Sequence, residues 1–338
     1  MNAQLNTQDF GLRNMQKILD FSSVDTFIKI ENLKGKKIIF TPDDKFLVPS
    51  GGWGSSSPIY DSIVINQIHP SNESCMVAGV DSSCIKIAET EDGILYAAKC
   101  GIAISMSSQI VMHFRIGPVI FYLTEGTLQN SDLDRRLVKV LLFDVDTAKR
   151  MIRTNIERSV QSELSKILQN SIILVDGSLK SSQYESRYCN YAKVLENCAL
   201  RSNSLVGLSK CSKLKILDKV SQNLRTFKNP GTMDVTFIIK SMVKNSIGNN
   251  TLIKLSSNGL IFRADVVSGF NKDYVATFGM LLGNDSAPSG YPECLRLAHH
   301  VSCFSTTEVS GLRGHIINNY DVKELYTEDV RRNILGLF

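Results

Sequence analysis

Ser171–Ser182 reads SIILVDGSLKSS, and the reading of this stretch decides the rest of the chain. Ile172, Ile173, Leu174 and Val175 form a short, β-branched apolar run of the kind that makes a strand buried on both faces. The run is far too short to cross a bilayer. It ends on Asp176-Gly177, which reads either as an ordinary turn or as a carboxylate presented at a strand end. Upstream, Ala148, Ile152, Ile156, Val160, Leu164 and Ile167 recur every three or four residues. That period predicts an amphipathic helix, with Asp144 to Thr147 supplying capping residues. Downstream, a helical stretch near Tyr184–Leu200 leads to the strand-like LVGLSK at 205–210.

Further upstream, residues 76–88, 94–105 and 110–123 read as three successive strands, with ETEDG at 89–93 as a turn. They predict an antiparallel meander, bent or bulged at Gly117-Pro118. LVKVLLFDVD, ending at Asp146, reads as a second hairpin or a linker. The order strand, strand, strand, helix, strand, helix, strand is mixed α/β rather than segregated. The C-terminal third adds expected strands at 234–242, 250–255, 259–267 and 274–282, and then a helix with Pro292 in its first turn. Residues 1–75 read as a lead-in, with a short helical pattern around Phe10–Leu19, a strand at Lys36–Phe40 and a Gly/Ser loop at 50–58. Residues 76–338 form the main domain.

The chain has 338 residues, 43% hydrophobic and 21% charged, a globular composition with material for a substantial core. No apolar run approaches the roughly 20 residues of a membrane span. The N-terminus lacks the basic and apolar pattern of a secretory signal, so a cytoplasmic location without membrane attachment is expected. Eight cysteines are scattered without C-x-x-C pairs, which argues for small buried residues rather than zinc ligands. The net charge is +5, yet residues 187–228 hold nine basic residues against Glu196 and Asp218. Such a surplus is either a solvated face or a surface for a polyanion.

Three carboxylates stand where charge is costly. VAGVDSS and ILVDGSL each place an aspartate, Asp81 and Asp176, after an apolar run and before small residues. If the two strands are parallel neighbours, the carboxylates meet at one end of the sheet and need a counter-charge. Divalent magnesium or manganese supplies one. Glu157 projects from the apolar arc of its helix, with Leu164 only about 20° away in projection. Arg153, one turn earlier, offers a salt bridge instead. Two strand-end aspartates and a helix glutamate can hold two metals roughly 4 Å apart for phosphoryl transfer. His299-His300 follows Tyr291-Pro292, and a histidine there either completes a metal shell or packs as a core residue.

These residues resemble the NurA nuclease family, found mainly in archaea. The likeness rests on Val80-Asp81-Ser82-Ser83, Arg153 with Glu157, Val175-Asp176-Gly177-Ser178-Leu179, Val206-Gly207-Leu208-Ser209-Lys210, and Tyr291-Pro292 through Ala298-His299. The order of the motifs and the 19-residue step from Glu157 to Asp176 fit the family pattern. The resemblance implies an RNase H-like mixed sheet flanked by helices, with an added β-rich C-terminal part. It implies a manganese-dependent nuclease, with magnesium as the alternative and two ions per site. Relatives of this kind degrade single- and double-stranded DNA 5′ to 3′ and cut single strands internally. They form homodimers around a channel and dock on a hexameric HerA-type ATPase for DNA end resection. By the same resemblance Asp81, Glu157, Asp176 and His299 ligate metal and Tyr291 positions substrate or metal-bound water, while Arg153, Lys210 and Lys213 contact nucleic acid. Ser82 stands where the family carries glycine, which implies a restricted turn at that point. The rival readings are a catalytically inactive DNA-binding adaptor on the same fold and an RNase H-like enzyme acting on RNA.

Overall fold

The computed structural model describes residues 30–40, 63–129, 135–182, 185, 190–210, 217, 220–243, 245–269 and 272–324. The expected helix near Phe10–Leu19 and the Gly/Ser loop at 50–58 lie outside these residues, as do Lys213 and most of residues 183–189. The strands are β1 (Lys37–Phe40), β2 (Ile65–Gln67), β3 (Val77–Thr90), β4 (Gly93–Met106), β5 (Gln109–Thr124), β6 (Ile172–Asp176), β7 (Ser204–Ser209), β8 (Gly231–Asp234), β9 (Asn249–Lys254), β10 (Ile261–Val267) and β11 (Lys323–Glu324). The helices are α1 (Glu125–Gln129), α2 (Arg135–Phe143), α3 (Val145–Ile167), α4 (Tyr191–Leu200), α5 (Gln222–Thr226), α6 (Thr236–Met242), α7 (Tyr274–Asn284), α8 (Glu293–Ser302) and α9 (Thr306–Tyr320).

The centre of the sheet runs β5-β4-β3-β6-β7. β3, β4 and β5 form the expected antiparallel meander, and β6 and β7 then add parallel to β3. α3 connects the meander to β6 and α4 connects β6 to β7, which is the RNase H-like arrangement. The bulge falls where expected, because Gly117 and Pro118 together face the single residue Lys99 of β4. β10, β9, β8 and β2 continue the sheet beyond β7 as antiparallel neighbours. β1 pairs with the last three residues of β3, so part of the lead-in belongs to the same sheet.

Side chains alternate across the central strands, as the pleat requires. Ile173 and Val175 of β6 pack with Ile152, Ile156, Val160 and Leu164 of α3. Ile172 and Leu174 pack on the opposite face with Phe278 of α7 and Leu295 of α8. The run that opened the reading is therefore buried on both faces, and each such aliphatic side chain contributes about 1.5–3 kcal/mol by leaving water. α3 starts at Asp144, whose side chain accepts from the backbone N–H of Asp146 and Thr147.

Three expectations are corrected. Leu137–Asp146 is no hairpin or linker: α2 occupies Arg135–Phe143 and runs into the Asp144 cap of α3. Its buried Val138 and Leu141 are spaced for a helix, a signal masked because Leu137–Phe143 is apolar at every position but Lys139. Residues 234–242 are not one strand, since β8 ends at Asp234 and α6 follows. The Asp234 carboxylate accepts from the Thr236 N–H at 2.8 Å and turns the chain, after which Ile238 and Ile239 are buried. Residues 274–282 belong to helix α7, capped by Asp273. Phe278, Gly279, Met280 and Leu281 are consecutively buried, and continuous burial erases the periodicity that separates helix from strand.

Candidate metal centre

The centre lies where β3 and β6 part. Their register runs from Val77↔Ile172 to Val80↔Val175, and β1 takes up the same edge of β3 only at Ala88. Between these partners, residues 81–87 have no strand on that edge among the described residues. Asp81 and Asp176 are the first side chains into the opening. Alternation from Val77 and Ile172 places both on the face covered by α8.

α8 completes this face because the sheet lets it come close. A Cβ added at Gly79 would stand 2.6 Å from the Cys294 backbone, and one at Gly101 would collide with the Ala298 carbonyl. A glycine within a strand marks such an approach. From this position His299 reaches Asp81, with Nδ1 2.6 Å from Oδ2. One ligand atom each from Asp81, Asp176 and His299 lie within 4.8 Å of one another. That spacing fits a single divalent ion, and the two carboxylates supply the anionic oxygens that manganese or magnesium takes. Among the described residues no other group of histidines, cysteines and carboxylates is so arranged.

The remaining predicted residues surround this trio. The Tyr291 hydroxyl donates to Asp176 Oδ1 at 3.2 Å, and its ring packs on Phe262. Burial, with the Asp176 charge second, pushes the phenol well above its ordinary value, so it stays a donor. Lys210 Nζ lies 2.7 Å from Asp176 Oδ2 and 5.0 Å from the centre of the Tyr291 ring. Glu157 is not one of the trio. It comes from α3, on the other face of the sheet, and accepts from Ser82 Oγ at 2.5 Å. Burial raises its pKa, against the lowering influence of Arg153, Arg158 and the Ser82 hydrogen bond. Arg153 Nη2 stands 3.7 Å from both Asp81 Oδ1 and Glu157 Oε1, linking the two sides.

The turn expected to be restricted at Ser82 is absent: the residue sits inside the extended strand β3 and has no positive φ. Glycine serves instead after Asp176, where Gly177 has φ +124°. The sequence reading missed Gly79 and Gly101, and it missed the Ser82 hydroxyl. The glycines carried a signal, as isolated glycines in strand-like runs, but a serine among small residues carries none. A cavity of about 560 Å³, lined by Lys99, His113, Arg115, His300 and Cys303, opens beside His299, whose Nε2 is 3.7 Å from Cys303 Sγ.

Fold and centre together define an RNase H-like protein with a cluster of two carboxylates and a histidine that could hold a cation. The pattern of the NurA domain matches residues 75–302, about two thirds of the chain. The chain belongs to the NurA family. It is similar to the NurA nuclease from Sulfolobus solfataricus at 14% identity, covering 94% of this chain and 98% of that one with a TM-score of 0.46. It is similar to a NurA bound to dAMP and manganese at 10% identity, covering 80% and 92% with a TM-score of 0.47. The catalytic domain of human endonuclease V is similar at 12% identity, covering 73% and 92% with a TM-score of 0.37. No match was found among curated proteins.

Proposed function

We propose that this protein is a metal-dependent DNA nuclease that hydrolyses phosphodiester bonds at the notch between β3 and β6. The observation that carries this reading is the convergence of Asp81, Asp176 and His299 within 4.8 Å. Distant parts of the chain bring two acids and an imidazole to one point, where a divalent cation would stabilise both carboxylates at once, beyond the single charge that Lys210 offers Asp176. Manganese is the proposed ion, with magnesium the alternative, since the set combines hard oxygens with one nitrogen. Asp81, Asp176 and His299 would hold one ion, and Asp81 with Glu157 a second. Bound ions would supply Lewis acidity and a water acidic enough to attack a phosphodiester near neutral pH.

The chain's own residues then divide the work. Asp81, at 2% exposure, is shielded from water on the sheet side, which concentrates its field on the notch. His299 is oriented through Nδ1 by its contact with Asp81. Tyr291 holds its proton and orients Asp176. Lys210 neutralises Asp176 and, once a cation takes over that charge, is free to meet a backbone phosphate. Arg153, 46% exposed, is placed to do the same from the α3 side. Lys213 is proposed as a further backbone contact in the basic segment.

Membership of the family supports the finer reading: 5′ to 3′ exonuclease action on single- and double-stranded DNA, endonuclease action on single strands, and a homodimer. It likewise supports a role in double-strand-break end resection, driven by a HerA-type hexameric ATPase in the cytoplasm. No described helix is long and apolar enough to cross a membrane. The test is incubation of end-labelled DNA with manganese, comparing the wild type with Asp81→Ala and Asp176→Ala. Degradation by the wild type alone supports the reading. Equal degradation by all three removes these aspartates from the chemistry. Salt-sensitive binding with no cleavage at any protein concentration would instead mark an inactive adaptor.

A further inference from the structure

The preformed trio does not include Glu157. Its carboxylate approaches from α3, while Asp81, Asp176 and His299 gather under α8. Consecutive strand residues point to opposite faces, so Asp81 turns towards α8 and its neighbour Ser82 towards α3. Ser82 is only 3% exposed and touches three charged residues, Asp81, Glu157 and Arg153. Its N–H donates to Asp81 Oδ1 at 2.8 Å, its hydroxyl donates to Glu157 Oε1 at 2.5 Å, and its Oγ accepts from Arg153 Nε at 3.4 Å. A hydroxyl donating to a carboxylate makes a charge-assisted hydrogen bond, a stronger class than one between neutral groups. Arg153 is a looser tether: it is half exposed, and its Nη2 lies beyond hydrogen-bond distance of both carboxylates.

We propose that Ser82 is a positioning residue that fixes the Glu157 carboxylate relative to Asp81 and so sets the seat of a second divalent cation, an inference that rests on the metal-centre reading above. The donor that holds Glu157 sits on the same rigid strand, one residue along, as the ligand Asp81. The separation of the two acids is thereby a property of β3 and not of a flexible side chain. Arg153 braces the hydroxyl from its acceptor side, leaving the Ser82 proton aimed at Glu157.

Manganese binding measured by calorimetry and by loss of the free-ion paramagnetic resonance signal, without nucleic acid, tests this. The wild type is expected to show a tighter and a weaker ion, and Glu157→Gln identifies the weaker one by abolishing it. Ser82→Ala is expected to weaken that second ion about tenfold or more, as loss of a ligand's hydrogen-bonding partner does. The tighter ion and the melting temperature are expected to stay unchanged. Ser82→Thr, which keeps the hydroxyl, is expected to restore the second ion. Three results would overturn the proposal: a Ser82→Ala isotherm that superimposes on the wild type, equal weakening of both ions with a lowered melting temperature, or a wild type that binds one ion only. A wild type that binds no manganese would sink the metal-centre reading itself, which separates the two failures.

Discussion

Asp81 and Asp265 are both buried aspartates on strands of one sheet, at 2% and 0% exposure, and they stand at opposite ends of a scale. Asp265 is saturated. Arg263 donates to both of its oxygens at 2.9 Å, Asn250 donates at 2.7 Å, and the Leu179 N–H donates at 2.9 Å. Burial still pushes its carboxyl upwards, against the pull of Arg263. Asp81 has its own neighbour's N–H, an imidazole, and a guanidinium no nearer than 3.7 Å. A buried carboxylate is therefore no sign of function by itself. What distinguishes the centre is a buried acid whose compensation is incomplete within the chain.

Removal of either acid sharpens the contrast. Asp81→Ala is expected to lower manganese-dependent DNA cleavage by about a thousandfold or more, the equivalent of roughly 4 kcal/mol of lost metal assistance. Its unfolding free energy, measured by denaturant titration, is expected to hold or rise, because an under-compensated charge is lost. Asp265→Ala is expected to do the reverse to the fold. It leaves the Arg263 guanidinium buried without its partner, at a cost of about 3–5 kcal/mol. A denaturation midpoint like that of the wild type would break the comparison.

Asp285 gives an intermediate case. At 3% exposure, its Oδ2 accepts the Cys294 N–H at 3.1 Å while Oδ1 has no hydrogen-bond partner. Burial raises its pKa from 3.8 to about 6. A carboxyl with a raised folded pKa favours the folded state at low pH and loses that contribution as pH rises through the folded value. The Asp285 carboxyl is thus expected to contribute a fall of about 2 kcal/mol between about pH 4 and 6 in the wild type, a share of the pH dependence that Asp285→Asn lacks. Urea melts at pH 4, 5, 6 and 7 decide it, and parallel profiles for the two proteins would refute the assignment.

The smallest effect is expected at the exposed edge of the centre. Lys210→Ala is expected to weaken DNA binding only a few-fold when measured in chelator, and to reduce the slope of log affinity against log salt by about one. An unchanged slope would mean that Lys210 serves Asp176 alone.

The sheet and two of its acids were legible because the physics that builds them is periodic. The apolar runs of β3 and β6, each ending on an aspartate before small residues, placed Asp81 and Asp176 at one end once the strands are parallel neighbours, and the helical period put Glu157 on the buried side of α3, where its side chain is 13% exposed. α6 and α7 were read as strands because β-branched and aromatic residues fill them, and tertiary burial overrode propensity. Asp265 passed unremarked inside GLIFRADVV, since its partners Asn250 and Leu179 come from elsewhere in the chain. Hydrogen-bond saturation is a three-dimensional property. Spacing alone distinguishes neither a saturated acid from an open one, nor a serine that grips a carboxylate from one that fills a gap.

The seating of α8 on Gly79 and Gly101 has a consequence for how such chains lose activity. One methyl group on the sheet side of that contact would collide with the α8 backbone and force helix and sheet apart, although none of the three clustered side chains had been touched. A descendant with alanine at either position would retain every acid, the tyrosine and the histidine, and would pass any inspection based on those letters while α8 no longer sat where it brings His299 to Asp81. In this architecture competence is written partly in two positions that have no side chain at all.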